Sequence, residues 1–311
     1  SSVELSNLVS RQLPDVALTL SLLAEHGHVL LAEEGRVRSR TAELARELRH
    51  VKQRFRDNDA GRRPYLVRSL KVELRDRMKP ERKLTLDEAF APARAVATES
   101  QTRALDSVAA MLVRQWGHGA KLAKFQSEGL EAILSAWNGS GQASIAIAAD
   151  TGSGKTEAAA LPLIAAALAD KIDGIQGSRV ILAYPRVRLA ANQAQRLAGY
   201  LAALCADGHV PQLTLGLQVA EVPRSFDGLT GSAAELWTPA GLGQFVFPFF
   251  NCPSCSGQLA LRPGAGTDGS DLLKCGTCDW RFGGWIGTKE GLRRQPPNLF
   301  LPTTERLHQW M

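Results

Sequence analysis

The pattern of apolar positions changes along the chain near residue 120. Residues 1–115 carry apolar side chains at three- and four-residue spacing with no strand-like alternation, which predicts helices. From about Lys121 onward, amphipathic stretches alternate with short apolar runs. Strands separated by helices of this length indicate right-handed crossovers and a parallel sheet covered on both faces, so this part is expected to be an α/β domain.

The same pattern predicts the individual elements of the second part. Three helices are expected, at 124–137, 157–170 and 186–206. The expected strands are the runs ASIAIA, SRVILAYP, QLTLGLQVA and NLFLPT, and a last helix starts at Thr303. Between about Val222 and Leu292, a segment rich in Gly, Pro and aromatic residues interrupts the alternation.

These changes of pattern divide the chain into four predicted segments. They are a helical basic N-terminal domain, the first part of an α/β domain, an insertion, and the continuation of the α/β domain. Their predicted boundaries are 1–115, 116–221, 222–292 and 293–311.

Positive charge is concentrated near the N-terminus of the 311-residue chain, whose net charge is +6. The stretch from Arg36 to Lys83 has 17 Lys and Arg against 7 Asp and Glu. It is either a solvated helix face with ion pairs or a surface that contacts phosphates, with 62–79 as the best candidate. No apolar run reaches the roughly 18 residues of a membrane span, so no membrane partner is expected.

The stretch AADTGSGKTE, Ala148 to Glu157, has the pattern of a phosphate-binding loop if alanine stands at the first position. Gly152 and Gly154 would allow a tight turn and a close approach to phosphate. The backbone N–H groups up to Thr156 would point at the anion, and the dipole of the following helix favours negative charge there. Lys155 would reach the β- and γ-phosphates and the Thr156 hydroxyl would hold Mg²⁺, so the sequence predicts an ATP site.

Four of the five cysteines form two CxxC pairs that are separated by 19 residues. Each pair would direct two thiolates at one ion, and four thiolates complete the tetrahedral shell of a structural Zn²⁺. The expected ligands are Cys252, Cys255, Cys275 and Cys278. A metal cluster in a chain without a signal peptide argues for a reducing compartment, so we expect a cytoplasmic protein.

The aromatic residues near the paired cysteines allow two interpretations. Trp280, Phe282 and Trp285 are either the small core of the metal module, which we favour, or a surface that stacks bases. The aromatic run FVFPFF before the cysteines is expected to be packing, and Cys205 is expected to be a buried small apolar residue.

With these pieces placed, the chain from about Lys121 to Met311 resembles superfamily 2 helicases of the DEAD/DEAH-box group. AADTGSGKTE looks like their motif I, including Thr151 before the first glycine and Glu157 after the Lys-Thr pair. FQSEGLEAIL looks like the upstream glutamine motif, LAYPRVRLAANQ is similar to motif Ia, and LPTTERL is similar to motif Ib.

The resemblance implies a RecA-like parallel sheet of the P-loop NTPase type, to which the basic helices and an inserted zinc ribbon are added. It implies that Lys155 and Thr156 are catalytic, and that Gln126 binds the adenine edge of ATP, on which Phe125 or Trp116 would stack unless both are core. The full set of residues expected at the nucleotide is Gln126, Thr151, Gly152, Ser153, Gly154, Lys155, Thr156 and Glu157. Contacts with nucleic acid are expected from Arg186, Arg188, Gln193, Thr303 and Thr304.

The position of the four-cysteine ribbon before PPNLFLPTTERL resembles large bacterial helicase subunits of anti-phage defence systems such as Druantia and DISARM. On this resemblance we expect a nucleic-acid partner, DNA rather than RNA, and other subunits of a defence complex.

The sequence departs from the family pattern in one respect. Such enzymes have a DExD/H motif after motif Ib and a second RecA-like domain whose arginine finger completes the site. The Asp-Glu pair here, Asp87-Glu88, precedes motif I and is interpreted as the start of a surface helix. The resemblance therefore predicts that the polypeptide continues past Met311 into both missing parts.

Three functions are compatible with these features. The first is the N-terminal part of an ATP-dependent helicase or translocase, an enzyme that closes a nucleotide cleft against a second domain. The second is a binding module in which a non-hydrolysing nucleotide switch controls contact with nucleic acid or a partner subunit. A small-molecule kinase is the third, but the sequence shows no acceptor site and a kinase does not explain the series Gln126, Pro185, Gln193 and Thr303.

Overall fold

The computed structural model describes residues 15–32, 36–42, 80–150, 152–229 and 231–308. The chain divides into two compact units, Ser1–Asp76 and Arg77–Met311. In the first unit, helix α1 (Val16–Glu25) begins after Asp15, whose carboxylate accepts a hydrogen bond from the Leu18 N–H (2.9 Å).

The expectation of helices throughout 1–115 is wrong in part, because strands β1 (Val29–Ala32) and β2 (Arg36–Ser39) form an antiparallel hairpin after α1. The continuous apolar run 29–31 in β1 fits a strand as well as a helix, so spacing alone does not distinguish the two. Most of the basic stretch from Arg36 to Lys83, including 62–79, lies outside the described residues.

The second unit begins with strand β3 (Arg82–Thr85), helix α2 (Leu86–Val96), helix α3 (Glu99–Trp116) and strand β4 (Lys121–Ala123), which pairs antiparallel with β3. Helices α2 and α3 each start with a capping box. Asp87-Glu88 lies in the first turn of α2, which confirms the interpretation of this pair as a helix start. Although α2 and α3 fall in the predicted N-terminal domain, they pack against α4 (Lys124–Asn138) and α5 (Lys155–Ile172) within the second unit.

An eight-stranded mixed sheet forms the centre of the second unit. Its parallel part joins β5 (Val180–Ile181), β12 (Leu299–Pro302), β6 (Leu215–Gln218) and β11 (Arg281–Ile286) in that spatial order. Helix α6 (Val187–Leu204) follows β5, α8 (Lys289–Arg294) follows β11, and α9 (Thr304–His308) follows β12. The helices expected at 124–137, 157–170, 186–206 and Thr303, and the strands expected around β5, β6 and β12, are confirmed.

The residues between β6 and β12 continue the same sheet. Helix α7 (Gly231–Leu236) leads into four antiparallel strands, β7 (Pro239–Gly241), β8 (Gln244–Val246), β9 (Leu259–Arg262) and β10 (Asp271–Cys275). Strand β11 pairs antiparallel with β10 on one side and parallel with β6 on the other. We call residues 239–286 the cysteine module, and its last strand belongs to both parts of the sheet.

The expected strand ASIAIA is wrong. Residues 142–150 have no regular structure and are largely exposed, with Ile145 at 42% exposure. A strand needs a neighbour for its N–H and C=O groups. Among the described residues no strand pairs with this run, and β5, the edge strand of the sheet, pairs with β12 alone.

The core of the second unit runs from α2 and α3 through α4, α5 and α6 to the inner face of the sheet and the cysteine module. On the opposite face, Leu292 of α8 packs with Ile286 and Phe300, and a Cβ on Gly216 of β6 would lie 2.4 Å from the Leu292 side chain. No helix among the described residues is both long enough and apolar enough to cross a membrane.

Candidate nucleotide, nucleic-acid and metal sites

The glycine loop turns sharply into the N-terminus of α5. Gly152 (φ +82°) and Gly154 (φ +97°) have left-handed backbone conformations. Residues with a side chain adopt these conformations only at a cost in free energy. A Cβ on Gly154 would also lie 2.5 Å from Gln126 Nε2, so a side chain here would have to displace the buried amide that binds the Gly154 carbonyl. The loop therefore has the glycine-dependent geometry expected of a phosphate-binding turn.

Several groups of the loop are suited to an anion. The Ser153 hydroxyl is buried and has no hydrogen-bond partner among the described residues, which is costly unless a ligand or water satisfies it. Lys155 is exposed at the first position of α5, with its Nζ donating to the Ala149 carbonyl, and Thr156 follows it. The free N–H groups and dipole of an 18-residue helix favour negative charge at this end.

Gln126 lies directly beneath the loop with only 1% of its surface exposed. Its Oε1 accepts a hydrogen bond from the Ala123 N–H (2.9 Å), and its Nε2 donates one to the Gly154 carbonyl (3.0 Å). Gln126 thus joins the start of α4 to the loop, and its contact with adenine stays a prediction. Thr151 lies outside the described residues.

Glu157 faces α6 from beneath the loop and is 9% exposed. Its Oε1 accepts hydrogen bonds from Arg196 Nη1 (2.9 Å) and the Tyr200 hydroxyl (3.1 Å), two residues one helical turn apart on α6. Burial, and then the Glu157 charge, raise the pKa of Tyr200, so this hydroxyl remains a donor. The sequence predicts Glu157 as a nucleotide ligand, but Arg196 and Tyr200, its actual partners, were not identified from it.

The segments resembling motifs Ia and Ib meet at the carboxyl ends of β5, β12 and β6. Tyr184 and Thr303 form a parallel bridge, the Thr304 N–H donates to the Tyr184 carbonyl (2.9 Å), and the Thr303 N–H donates to the Gln218 carbonyl (3.2 Å). Arg186, which caps α6, is exposed, as are Arg188 and Thr304, whereas Thr303 is buried. The structure thus brings the two predicted nucleic-acid segments to one edge of the sheet.

Two glutamines near this edge have unsatisfied oxygens. Gln193 Oε1 on α6 and Gln218 Oε1 at the end of β6 are buried without a partner among the described residues. Gln193 was predicted from its motif. Gln218, only 4% exposed, was missed because no motif marks the end of that strand.

The four predicted metal ligands converge, with all four Sγ atoms within 4.8 Å of one another. The Cys252–Cys278 and Cys255–Cys275 Sγ pairs are 3.7 and 3.5 Å apart, close to the about 3.8 Å expected around a tetrahedral ion with Zn–S bonds of about 2.3 Å. A hydrogen bond from the Thr277 N–H lowers the pKa of Cys275 to about 6, whereas burial raises the pKa of Cys252, so a metal would have to displace a proton from the cluster. The donor set and spacing fit Zn²⁺.

The aromatic residues of the cysteine module are mainly core. Phe282 and Trp285 are fully buried, Trp280 packs against the same cluster, and Phe247 makes edge-to-face contacts with Trp285 (5.1 Å) and Phe250 (4.8 Å). These contacts confirm packing as the role of FVFPFF and of most of the module's aromatic rings. Cys205 packs at the edge of the core, where burial raises the pKa of its thiol.

A family model described as DEAD/DEAH box helicase matches residues 123–224. The matched part contains Gln126, the glycine loop and α6, and it ends before the four clustered cysteines and Thr303. A comparison with curated proteins gave no match. The match and the mixed α/β sheet support a RecA-like domain of a helicase superfamily, which implies use of ATP and Mg²⁺ and contact with nucleic acid, and the cysteine cluster is compatible with zinc.

Proposed function

We propose that this chain is part of an ATP-dependent helicase or translocase that acts on DNA. The observation that carries the proposal is the placement of the glycine loop before α5 in the same unit as the motif Ia and Ib segments, which share one edge of the sheet. A nucleotide bound at the loop and a nucleic-acid strand bound at that edge would both lie next to elements that adjoin α6.

The nucleotide-binding part of the mechanism is assigned to the loop. Its N–H groups and the Ser153 hydroxyl would bind phosphate oxygens, Lys155 would neutralise the β- and γ-phosphates, and the Thr156 hydroxyl would hold Mg²⁺. Gln126 would bind adenine by releasing the Ala123 N–H or the Gly154 carbonyl, which its buried amide holds here. When bound, ATP supplies the phosphoryl group whose transfer to water releases the free energy for movement.

The strand-binding part is assigned to the carboxyl edge of the sheet. The exposed guanidinium groups of Arg186 and Arg188 and the hydroxyl of Thr304 would contact backbone phosphates, with Thr303 and Gln193 behind them. Such contacts position a strand without reading its sequence, as a translocating enzyme requires.

The same proposal includes a role in bacterial phage defence, a cytoplasmic location, Zn²⁺ in the cysteine module and further subunits as partners. Its domain arrangement keeps the predicted α/β part, insertion and continuation, with α2 and α3 joined to the first α/β part.

The test is ATP hydrolysis by the native gene product with and without single-stranded DNA or RNA, with Lys155→Ala as the control. We expect turnover that rises with DNA more than with RNA and is lost in Lys155→Ala. An ATP hydrolysis rate that is the same with and without nucleic acid contradicts the proposal. So does hydrolysis that persists in Lys155→Ala.

A second candidate is a nucleotide-switched binding module without its own hydrolysis. It is favoured by the position of Asp87-Glu88 in α2, where Glu88 accepts a hydrogen bond from the Thr85 N–H (2.8 Å) and is engaged as a helix cap. This pair is therefore not the water-positioning acid. ATP binding that depends on Lys155 without any turnover supports this candidate.

A further inference from the structure

Helix α6 contacts the nucleotide loop at one side and the cysteine module at another. Toward the loop it presents Arg196 and Tyr200, which both bind Glu157. Toward the module it presents Gln195 and Gly199. These four residues lie within six positions of α6, so a shift of this part of the helix would move both contacts together.

The contact with the loop is sensitive to the position of α6. Glu157 directly follows Lys155 and Thr156, and a Cβ on Gly154 would lie 3.4 Å from its Oε2, so the carboxylate is packed under the loop. A buried carboxylate that loses its donors is costly, and it either recruits water or moves. The Glu157 position therefore depends on where α6 holds Arg196 and Tyr200.

The contact with the module is close and polar. A Cβ on Gly199 would lie 3.1 Å from Pro253 Cβ, and Gln195 Nε2 donates a hydrogen bond to the Asn251 carbonyl (2.9 Å). Pro253 lies between the predicted ligands Cys252 and Cys255, in a turn closed by the hydrogen bond from the Cys252 N–H to the Gly257 carbonyl (2.8 Å). A metal held by both cysteines would fix the proline that faces Gly199.

We propose that Gln195 and Gly199 are positioning residues through which the cysteine module holds α6 and thereby sets the nucleotide loop. The cysteine module then affects the affinity for ATP through α6 and Glu157, without contacting the nucleotide. The inference rests on the proposed nucleotide binding and adds to it a role for the cysteine module.

The test compares Gly199→Leu with Asn192→Leu, which places the same side chain at an exposed position of the same helix. The readouts are the dissociation constant of a fluorescent ATP analogue, zinc content and melting temperature. We expect Gly199→Leu to bind the analogue about tenfold more weakly, as loss of a charged hydrogen bond would cause, with zinc retained. Asn192→Leu should bind like the wild type. Equal affinities in the two variants overturn the inference.

A double-mutant cycle separates positioning from general destabilisation. If the module acts through Glu157, adding Gly199→Leu to Glu157→Gln should weaken binding little further, because the connection is already broken. Full additivity of the two losses contradicts the inference. If Gly199→Leu does not fold, Gln195→Ala replaces it, with an expected loss of about threefold from removal of one neutral hydrogen bond.

Hydrogen exchange distinguishes failure of this inference from failure of the proposed function. Exchange of the amides at 152–158 should be faster in Gly199→Leu, and in wild type treated with a zinc chelator, than in Asn192→Leu, whether or not ATP binds. Unchanged exchange in both overturns the inference. An absence of ATP binding by wild type with altered exchange overturns the proposed function alone.

Discussion

Gly154 shows how one residue combines a backbone requirement with a packing requirement. It needs a positive φ and also the absence of a side chain over Gln126, whereas a Cβ on Gly152 would have nothing within 4 Å. We expect Gly154→Ala to weaken binding of an ATP analogue by more than tenfold, since left-handed strain of about 1–2 kcal/mol is added to a steric conflict. Gly152→Ala carries the strain alone and should have the smaller effect in the same titration. The reverse ranking would show that the contact with Gln126 is unimportant.

Arg186 and Arg188 provide the second prediction at this scale. The pair Arg186→Ala and Arg188→Ala should weaken binding of single-stranded DNA and reduce the slope of log affinity against log salt by about 0.7 for each lost phosphate contact. ATP-analogue affinity should not change, because no hydrogen bond or ion pair joins either side chain to the loop residues that the structure describes. Arg262→Ala, on the exposed side of β9, is the matched control and should leave the salt slope unchanged. An unchanged slope in the Arg186 and Arg188 variant would exclude phosphate contacts at this edge.

At the scale of elements, one buried side chain connects the start of β12 to the start of β6 by hydrogen bonds. Asn298 Oδ1 accepts hydrogen bonds from the Thr214 N–H and hydroxyl (both 3.0 Å) just before the two strands begin. Asn298→Ala leaves both buried donors unpaired, so we expect the free energy of unfolding to fall by about 2 kcal/mol in urea titrations. Ser178→Ala, at an exposed position before β5, should be neutral. A loss below about 0.5 kcal/mol for Asn298→Ala would indicate that water replaces the amide.

The elements also show what the sequence could and could not predict. Helices α4, α5 and α6 and the cysteine cluster were predicted because their signals are local: helical spacing, a glycine loop and two CxxC pairs. ASIAIA was wrong because a strand depends on a partner that local composition does not reveal. The pairing of β11 with β6, and the contact of Glu157 with Arg196, join residues 39 or more positions apart that no motif connects. Such contacts follow from the fold as a whole.

At the scale of the whole molecule, the continuous sheet makes the cysteine module part of the same unfolding unit as the parallel strands. Because β11 lies between β6 and β10, loss of the proposed Zn²⁺ should destabilise the parallel strands as well as the module. We expect a strong zinc chelator to lower the melting temperature while the second unit still unfolds in one transition, measured by circular dichroism and tryptophan fluorescence. Cys205→Ala, at the edge of the core and outside the cluster, should keep the single transition and the same shift on adding chelator. Two separate transitions after chelation would show that the module unfolds independently.

The dual pairing of β11 also restricts how such a chain can be altered by recombination. A metal-binding segment joined to its host through two flexible linkers can be transferred to another protein or lost as a unit. Here, removal of the segment would remove β11, the strand that pairs with β6. The edge of the parallel sheet would then be exposed to other chains. Descendants of this protein that lose the four cysteines are therefore expected to retain the strand 281–286 and to fill the position of the cluster with apolar side chains.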